Sequence, residues 1–237
     1  MLKLLSFGAE GWGDELLAGA LMTLLMAIPA FLLGCAIGTL AAAIRQRGSG
    51  IASSVVFVYT TVVRGIPELV IVYLFFFGGG QFLGSIAAVF GHPGSYHITP
   101  FIAALASLGL ISGAYATEVL RGAFKALDHG QIEAAHAFGW PRASAFLRIT
   151  APQLLRIALP GLGNVWLLTL KDTALASVTG LSELMRAASV ATGSTGLPLY
   201  FYGAAMALYL LLSAGSNSLF KALERYTRRG LRTVAAP

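Results

Sequence analysis

The stretch RGAFKALDHGQIEAAHAFGWPRASAFLRITAP, residues 121–152, is the only long segment of this chain whose composition suits water. Its first part predicts a short amphipathic helix over residues 130–138, with Ile132, Ala135 and Phe138 on one face because they recur at i, i+3 spacing. Gly139 and Pro141 then predict an end to that helix. The segment is therefore expected to form a helical element that projects from the rest of the chain.

A second helix is predicted directly after this break, with Pro141 in its first turn. Helical spacing places Ala143, Phe146, Leu147 and Thr150 on one face of it. Two interpretations remain open from the residues alone, since a basic amphipathic segment either lies on the bilayer surface or docks on a partner protein.

The composition of the whole chain indicates a membrane protein. Hydrophobic residues make up 57% of the chain and charged residues only 11%, well outside the range of ordinary soluble domains. The net charge of +6 is spread over short loops, which argues against a nucleic-acid-binding patch. The single cysteine, Cys35, lies in an apolar run, and no grouping of residues predicts a metal site.

The hydropathy pattern predicts one all-α domain over residues 1–237 with five membrane spans. Arg64, Gly65 and Pro67 interrupt the second span, where a helix break facing a cavity is expected. Residues 79–99 are predicted to be a loop with one short apolar helix. The five predicted spans are residues 16–44, 51–78, 100–118, 154–178 and 198–220.

The distribution of basic residues predicts the orientation of these spans. Twelve lysines and arginines fall on one side and only Lys3 and Arg186 on the other, so the positive-inside rule places the N-terminus outside the cell and the C-terminus in the cytoplasm. The loop at 121–152 is then cytoplasmic. The twelve are Arg45, Arg47, Arg121, Lys125, Arg142, Arg148, Arg156, Lys221, Arg225, Arg228, Arg229 and Arg232.

Motifs of common enzymes are missing from the sequence. There is no G-x-x-x-x-G-K-[ST] for a nucleotide phosphate, no G-x-S-x-G and no H-E-x-x-H. The chain is therefore not expected to be an enzyme or to hold a cofactor, and any ATP and magnesium would be bound by another subunit.

Ionisable residues within the spans are the candidate substrate contacts, because placing a charge in a bilayer is costly. Glu68 follows the helix break, Glu118 ends the third span and Asp172 lies in the fourth. A carboxylate beside an interrupted helix favours a cationic ligand. The alternative is structural: Glu68 pairs with Arg64, and Asp172 pairs with Lys171.

The loop also carries a motif, Glu133-Ala134-Ala135 followed by Gly139, Ile149 and Pro152, which resembles the E-A-A-x3-G-x9-I-x2-P signature of ABC importer permeases. The stretches TTVVRGIPELV (60–70), GAYATEVLRGAF (113–124), LPGLGNVWLLTLKDTALAS (159–177) and LERYTRRG are similar to permeases for basic amino acids and opines. The carboxylate directly after R-G-x-P, here Glu68, matches the members that take basic substrates.

This resemblance implies a type I importer in the bacterial inner membrane. Two permeases, copies or paralogues, would stand side by side above an ATPase dimer, and a periplasmic binding protein would deliver arginine, lysine, ornithine, histidine or an opine. Glu133, Ala134, Ala135 and Gly139 would form the helix that docks on the ATPase. The competing hypothesis is a proton-coupled secondary transporter, with Glu118 and Asp172 as the proton relay.

Overall fold

A computed structural model of the chain describes residues 2–8, 11–46, 48, 50–92 and 94–227. All regular elements in these ranges are helical, and five helices are long and apolar enough to cross a membrane. The predicted all-α architecture with five membrane helices is therefore confirmed. After a 3-10 turn at Leu2–Leu5, the described helices are α1 (Gly13–Gln46), α2 (Ile51–Gly65), α3 (Glu68–Val89), α4 (Pro100–Lys125), α5 (His129–Ala137), α6 (Arg142–Thr179), α7 (Leu184–Thr195) and α8 (Pro198–Thr227).

The centre of the bundle is the contact between α1 and α4, which is the most extensive between any two helices described. Small residues allow the two backbones to approach closely, as is usual between membrane helices. A methyl group added at Gly38 would lie 2.6 Å from the Ala116 side chain, so only glycine fits there. Met26 and Leu108 fill the adjacent core and are almost completely buried.

The second membrane helix lies further along the chain than the sequence predicted. A break is present at the expected place, because α2 ends at Gly65, Ile66 is extended and α3 begins at Glu68. However, α2 alone is short, and the helix of membrane length is Glu68–Val89, not a span over 51–78. Gly79 and Gly80, interpreted from sequence as the start of a loop, continue α3 because glycine is tolerated within membrane helices.

The helix α6 is also longer than the predicted fourth span, 154–178. It runs without interruption from Arg142 to Thr179, through a π-helical turn at Phe146–Thr150 and a final 3-10 segment at Thr173–Thr179. Most of the stretch 121–152 is consequently helical, and the irregular backbone is limited to the residues on either side of α5.

The ends of four helices meet at one end of the bundle. Ala43 and Gln46 of α1, Phe124 of α4, Ile132 of α5 and Phe146 of α6 line a common cavity of about 310 Å³. This geometry places Arg45 and the α5 region at the same end, in agreement with the predicted grouping of basic residues. Arg47, Arg228, Arg229 and Arg232, which belong to that grouping, lie outside the described residues.

Candidate transport site and docking helix

The helix α5 is fixed at its N-terminus by a side-chain cap. The Asp128 Oδ1 atom accepts a hydrogen bond from the Gly130 backbone N–H at 2.9 Å. Such caps satisfy a donor that has no partner within the helix, and they typically stabilise it by about 1 kcal/mol. The sequence HGQIEAAHA is therefore held as a helix by a residue directly before it.

The C-terminus of α5 ends in a Schellman motif that requires a glycine. Gly139 has φ +76°, a left-handed conformation that residues with a Cβ rarely adopt. The Trp140 N–H donates to the Ala135 carbonyl at 3.0 Å, and the Gly139 N–H donates to the His136 carbonyl at 2.9 Å. The glycine of the E-A-A-x3-G pattern thus turns the chain back at a defined angle.

The faces of α5 differ in part from the sequence prediction. Ala135 is only 6% exposed and Ile132 is half-buried, as expected for an inner face. Phe138, expected on the same face, is 85% exposed because it lies beyond the last helical turn, where the backbone already departs from the helix. Glu133 and Ala134 are exposed as well, so the outer surface of α5 is available to another molecule.

The face predicted for the second helix is wrong for a similar reason. Phe146 and Leu147 are exposed, whereas Ala145 and Thr150 are buried. The π-helical turn over Phe146–Thr150 adds a residue to one turn and rotates the side chains that follow it. Across this turn, the Gln153 Nε2 atom donates to the Gln131 Oε1 atom at 3.0 Å and attaches α5 to α6.

Glu68 lies inside the bundle at the start of α3, directly after the break formed by Gly65 and Pro67. It is half-buried, and its Oε1 atom accepts a hydrogen bond from the Tyr115 hydroxyl at 3.1 Å. Asp172, at the end of the regular α-helical part of α6, is close enough for the two carboxylates to repel each other. The helix break thus brings two of the three carboxylates that sequence selected into one neighbourhood.

Arg64 lies on the other side of the same tyrosine. Its guanidinium carbon is 5.5 Å from the centroid of the Tyr115 ring, a cation–π distance. Among the described residues, Arg64 forms no ion pair with Glu68 within 4 Å, nor does Lys171 with Asp172. The purely structural alternative for these two carboxylates is therefore not seen. We refer to Arg64, Glu68, Tyr115 and Asp172 as the charged cluster.

Glu118 occupies a different environment. Its Oε2 atom accepts hydrogen bonds from Arg121 Nε at 2.9 Å and from Arg121 Nη2 at 2.5 Å. Both residues belong to α4, and Glu118 lies one helical turn beyond Tyr115 on the side nearer to α5. The sequence prediction did not foresee this i, i+3 pair, which leaves Glu118 a neighbour of the charged cluster with an ion-pair partner of its own.

Sequence analysis did not identify a second polar centre around Glu183, which is completely buried. Its carboxylate accepts hydrogen bonds from the Met185 and Arg186 backbone N–H groups at 2.9 and 2.7 Å and from the Tyr209 hydroxyl at 2.9 Å. Residues 180–183 lie outside the membrane-spanning helices. Burial raises the pKa of the Glu183 carboxyl, and the hydrogen bonds that the carboxylate accepts oppose this rise. The sequence feature that could have indicated this centre is an acidic residue directly before a helix, because such residues commonly cap the helix N-terminus.

The Glu183 network connects separate parts of the bundle. Thr23 of α1 accepts a hydrogen bond from the Leu184 backbone N–H at 3.3 Å, and the Thr173 hydroxyl contacts Tyr209 of α8. Thr173 directly follows Asp172 in the chain. The network therefore fixes the end of α6 that carries an acidic residue of the charged cluster.

Five apolar spanning helices, charged residues at a helix break within them, and an exposed helix at one end define a polytopic transport protein of the membrane. Comparisons with known proteins specify its family. Residues 34–232 match the model of the binding-protein-dependent transport system inner membrane component, and the chain belongs to this family. It is thus an inner-membrane permease component.

Two curated relatives cover almost the whole chain. It is 46% identical to the nopaline transport system permease protein NocQ of Agrobacterium fabrum, over 98% of this chain and 99% of the relative. It is 44% identical to the octopine transport system permease protein OccQ of Rhizobium radiobacter, over 97% of both. Neither comparison supports the alternative of a proton-coupled secondary transporter.

A solved structure agrees with this assignment. The fold is similar to a chain of an amino acid ABC transporter with histidines, with a TM-score of 0.75 and 29% identity, over 91% of this chain and 95% of that one. The type I permease fold is therefore confirmed. Membership of such a family implies a binding protein and an ATPase as partners.

Proposed function

We propose that this permease translocates cationic and polar amino acids: arginine, lysine, ornithine, histidine or opines. The observation that carries the proposal is the half-buried carboxylate of Glu68, which directly follows the helix break, with Asp172 of α6 within its electrostatic range. Two like charges held close together away from bulk water are destabilising unless a cation lies between them. An ammonium or guanidinium group supplies that charge. The octopine and nopaline named for the relatives are derivatives of arginine, and both contain a guanidinium group.

The energy for transport is proposed to come from a separate ATPase dimer, which binds ATP and magnesium and contacts the exposed face of α5. Glu133 and Ala134 would make that contact directly. Ala135 packs beneath them, and Gly139 sets the direction in which the helix ends. A second permease, a copy or a paralogue, and a periplasmic binding protein would complete the importer. In this arrangement the N-terminus is periplasmic and the C-terminus cytoplasmic.

The structure offers a direct mechanical connection between the ATPase contact and the charged cluster. The helix α6 begins at Arg142, next to α5, and runs without a break to Asp172 and beyond. At about 1.5 Å per residue, this is a rod of roughly 45 Å. Because Gln153 also holds Gln131 of α5, a displacement of α5 is expected to move α6 and shift Asp172 relative to Glu68. The site would then alternate between outward and inward access.

Uptake by membrane vesicles tests the role of Glu68. The variant Glu68→Gln keeps the volume and most hydrogen bonds but removes the charge, and a charge-assisted contact contributes about 1.5–3 kcal/mol. Uptake of a basic amino acid at low concentration should fall roughly ten-fold or more, with excess loaded binding protein and equal permease levels.

A double variant separates substrate binding from a structural ion pair. If Glu68 only neutralised Arg64, the change Glu68→Gln with Arg64→Gln would restore what the single change lost. We expect no restoration, since the two side chains form no ion pair. Recovery of uptake in the double variant would overturn the proposed substrate site.

A further inference from the structure

The guanidinium of Arg64 is the charge of the cluster to which the proposed function assigns no role. It lies in the last turn of α2, is exposed, and stacks over Tyr115 at 5.5 Å. Within the part of the chain that the structure describes, no carboxylate lies within 4 Å of it. Arg64 lies near the end of an apolar helix, shortly before the spanning helix α3 begins at Glu68, and an unpaired charge among apolar segments of a membrane protein is costly unless an anion binds it.

The two glutamates of this neighbourhood have other hydrogen-bond partners, and neither of them forms an ion pair with Arg64. Glu68 accepts its hydrogen bond from the Tyr115 hydroxyl, and Glu118 accepts two from Arg121 through a single oxygen. Glu118 attracts Arg64 electrostatically but does not pair with it. The planar donor fork of Arg64 is therefore left for a carboxylate from outside the described residues, and such a fork binds a carboxylate with two parallel hydrogen bonds.

The cluster consequently has two poles on either side of one aromatic ring, with a cation over the face of Tyr115 and carboxylates at its hydroxyl end. A basic amino acid is also bipolar, with a carboxylate at one end and a cationic side chain at the other. Carboxylates alone would repel the first of these groups. We propose that Arg64 binds the substrate carboxylate while Glu68 and Asp172 bind the cationic side chain. This inference rests on the proposed function and deepens it.

The two poles also give the bound substrate a direction. The chain enters α2 at Ile51, close to the α5 end of the bundle, and reaches Arg64 before Glu68. On α4, the order from Tyr115 to Glu118 and Arg121 leads toward the same end. The substrate therefore lies with its carboxylate toward the α5 end and its side chain toward the opposite end.

Agmatine tests the inference, because it is arginine without the carboxylate. The assay is equilibrium binding of radiolabelled arginine and agmatine to the complete importer complex in nanodiscs, without the binding protein. The wild-type complex should bind arginine roughly ten-fold or more tightly than agmatine. Arg64→Gln should abolish this preference by weakening arginine and leaving agmatine unchanged. Arg64→Lys, which keeps the charge but not the fork, should restore part of the preference.

The matched control is Arg142→Gln, an exposed arginine at the start of α6 that should change neither affinity. A preference for arginine that survives Arg64→Gln overturns the inference, and so does an equal loss of both ligands, which would indicate that Arg64 pairs with a neighbouring subunit or supports the fold. If the Arg64→Gln complex fails to assemble, the ratio of arginine to agmatine affinity in Arg64→Lys tests the inference instead.

The variant Glu68→Gln separates this inference from the proposed function. It should weaken arginine and agmatine together, because both carry the guanidinium. Unchanged affinities in that variant would show that Glu68 does not bind the cationic side chain, which contradicts the proposed function. The ratio of arginine to agmatine affinity in Arg64→Gln would still decide whether Arg64 binds the substrate carboxylate. A wild-type complex that binds neither ligand contradicts both.

Discussion

The α5 region and the charged cluster are built in opposite ways. The helix α5 is determined by neighbours in sequence: Asp128 caps it, Gly139 ends it, and the capping hydrogen bonds at its two ends join residues within a few positions. The charged cluster joins α2, α3, α4 and α6 through tertiary packing. We propose that the first region binds a partner protein and that the second binds the transported ligand.

We infer from this difference that the two regions, which α6 connects, have separate roles: α5 contacts the ATPase and the charged cluster contacts the ligand. The exposed helix can be recognised by an ATPase without any change in its own fold, because its caps are internal. In the proposed mechanism, the cluster changes its ligand affinity without refolding, because small movements of α6 would alter the distance between Asp172 and Glu68. The two regions should therefore respond differently to mutation.

The largest expected difference is the side of the membrane from which each region is accessible. Cysteines are introduced separately at Ser95, in the segment between α3 and α4, and at Ala137 of α5, in a variant with Cys35→Ala. Both positions are exposed. An impermeant thiol reagent added outside spheroplasts should label position 95 and leave position 137 unlabelled until the membrane is opened. Outside labelling at 137 would refute the proposed orientation.

Changes in α5 should weaken the coupling of ATP hydrolysis to uptake without affecting ligand binding. Glu133→Lys reverses an exposed charge at the proposed ATPase contact, and Gly139→Val puts a β-branched residue at φ +76°, which costs about 1–2 kcal/mol. ATP-driven uptake should fall roughly ten-fold or more in each variant, because like charges facing each other at an interface cost several kcal/mol and because the strain at position 139 changes the direction in which the helix ends. Arginine binding should remain as in the wild type.

The control for these variants is Lys125→Gln, an exposed change just before α5. Normal uptake in both α5 variants, at wild-type protein levels, would show that α5 is not the docking helix. Loss of arginine binding together with uptake would show that the two regions are not separable.

The extent to which sequence predicts each region follows from the same contrast. The helix α5, its glycine end and the break at Pro67 could all be predicted, because caps, glycine and proline act on their immediate neighbours. The position of the second spanning helix could not. Consecutive glycines predict a loop in a water-soluble protein. In a membrane the helix continues through them, because its backbone groups must hydrogen-bond within the helix.

Within the site, sequence identified the acidic residues but not their partners. The cost of a charge in a bilayer selects Glu68, Glu118 and Asp172 directly. The Tyr115 hydroxyl bond to Glu68 joins residues 47 positions apart, and the bond between Thr23 and Leu184 in the Glu183 network joins residues 161 positions apart, so no local pattern indicates them. The π-helical turn that exposes Phe146 is likewise set by packing and not by periodicity.

A smaller effect is expected in the Glu183 network, which we expect to support the cluster without contacting the ligand. Tyr209→Phe removes the hydroxyl that donates to Glu183 and contacts Thr173, and Glu183→Asp keeps the cap but shortens the reach to Tyr209. Each should cost about 1 kcal/mol and lower the melting temperature of the complex by roughly 2–4 °C. Tyr202→Phe, in the same helix but outside the network, is the control. A loss of arginine affinity as large as in Glu68→Gln would instead place the network in direct contact with the ligand.

The most direct test of the cationic pole compares arginine with citrulline, which replaces the guanidinium by a neutral urea group of nearly the same shape. Both ligands are measured by equilibrium binding to the complete complex in nanodiscs. The wild-type complex should prefer arginine roughly ten-fold or more, and Glu68→Gln should bring the two affinities close together by weakening arginine alone. An arginine preference that is the same in Glu68→Gln as in the wild type would contradict the claim that Glu68 selects cationic substrates.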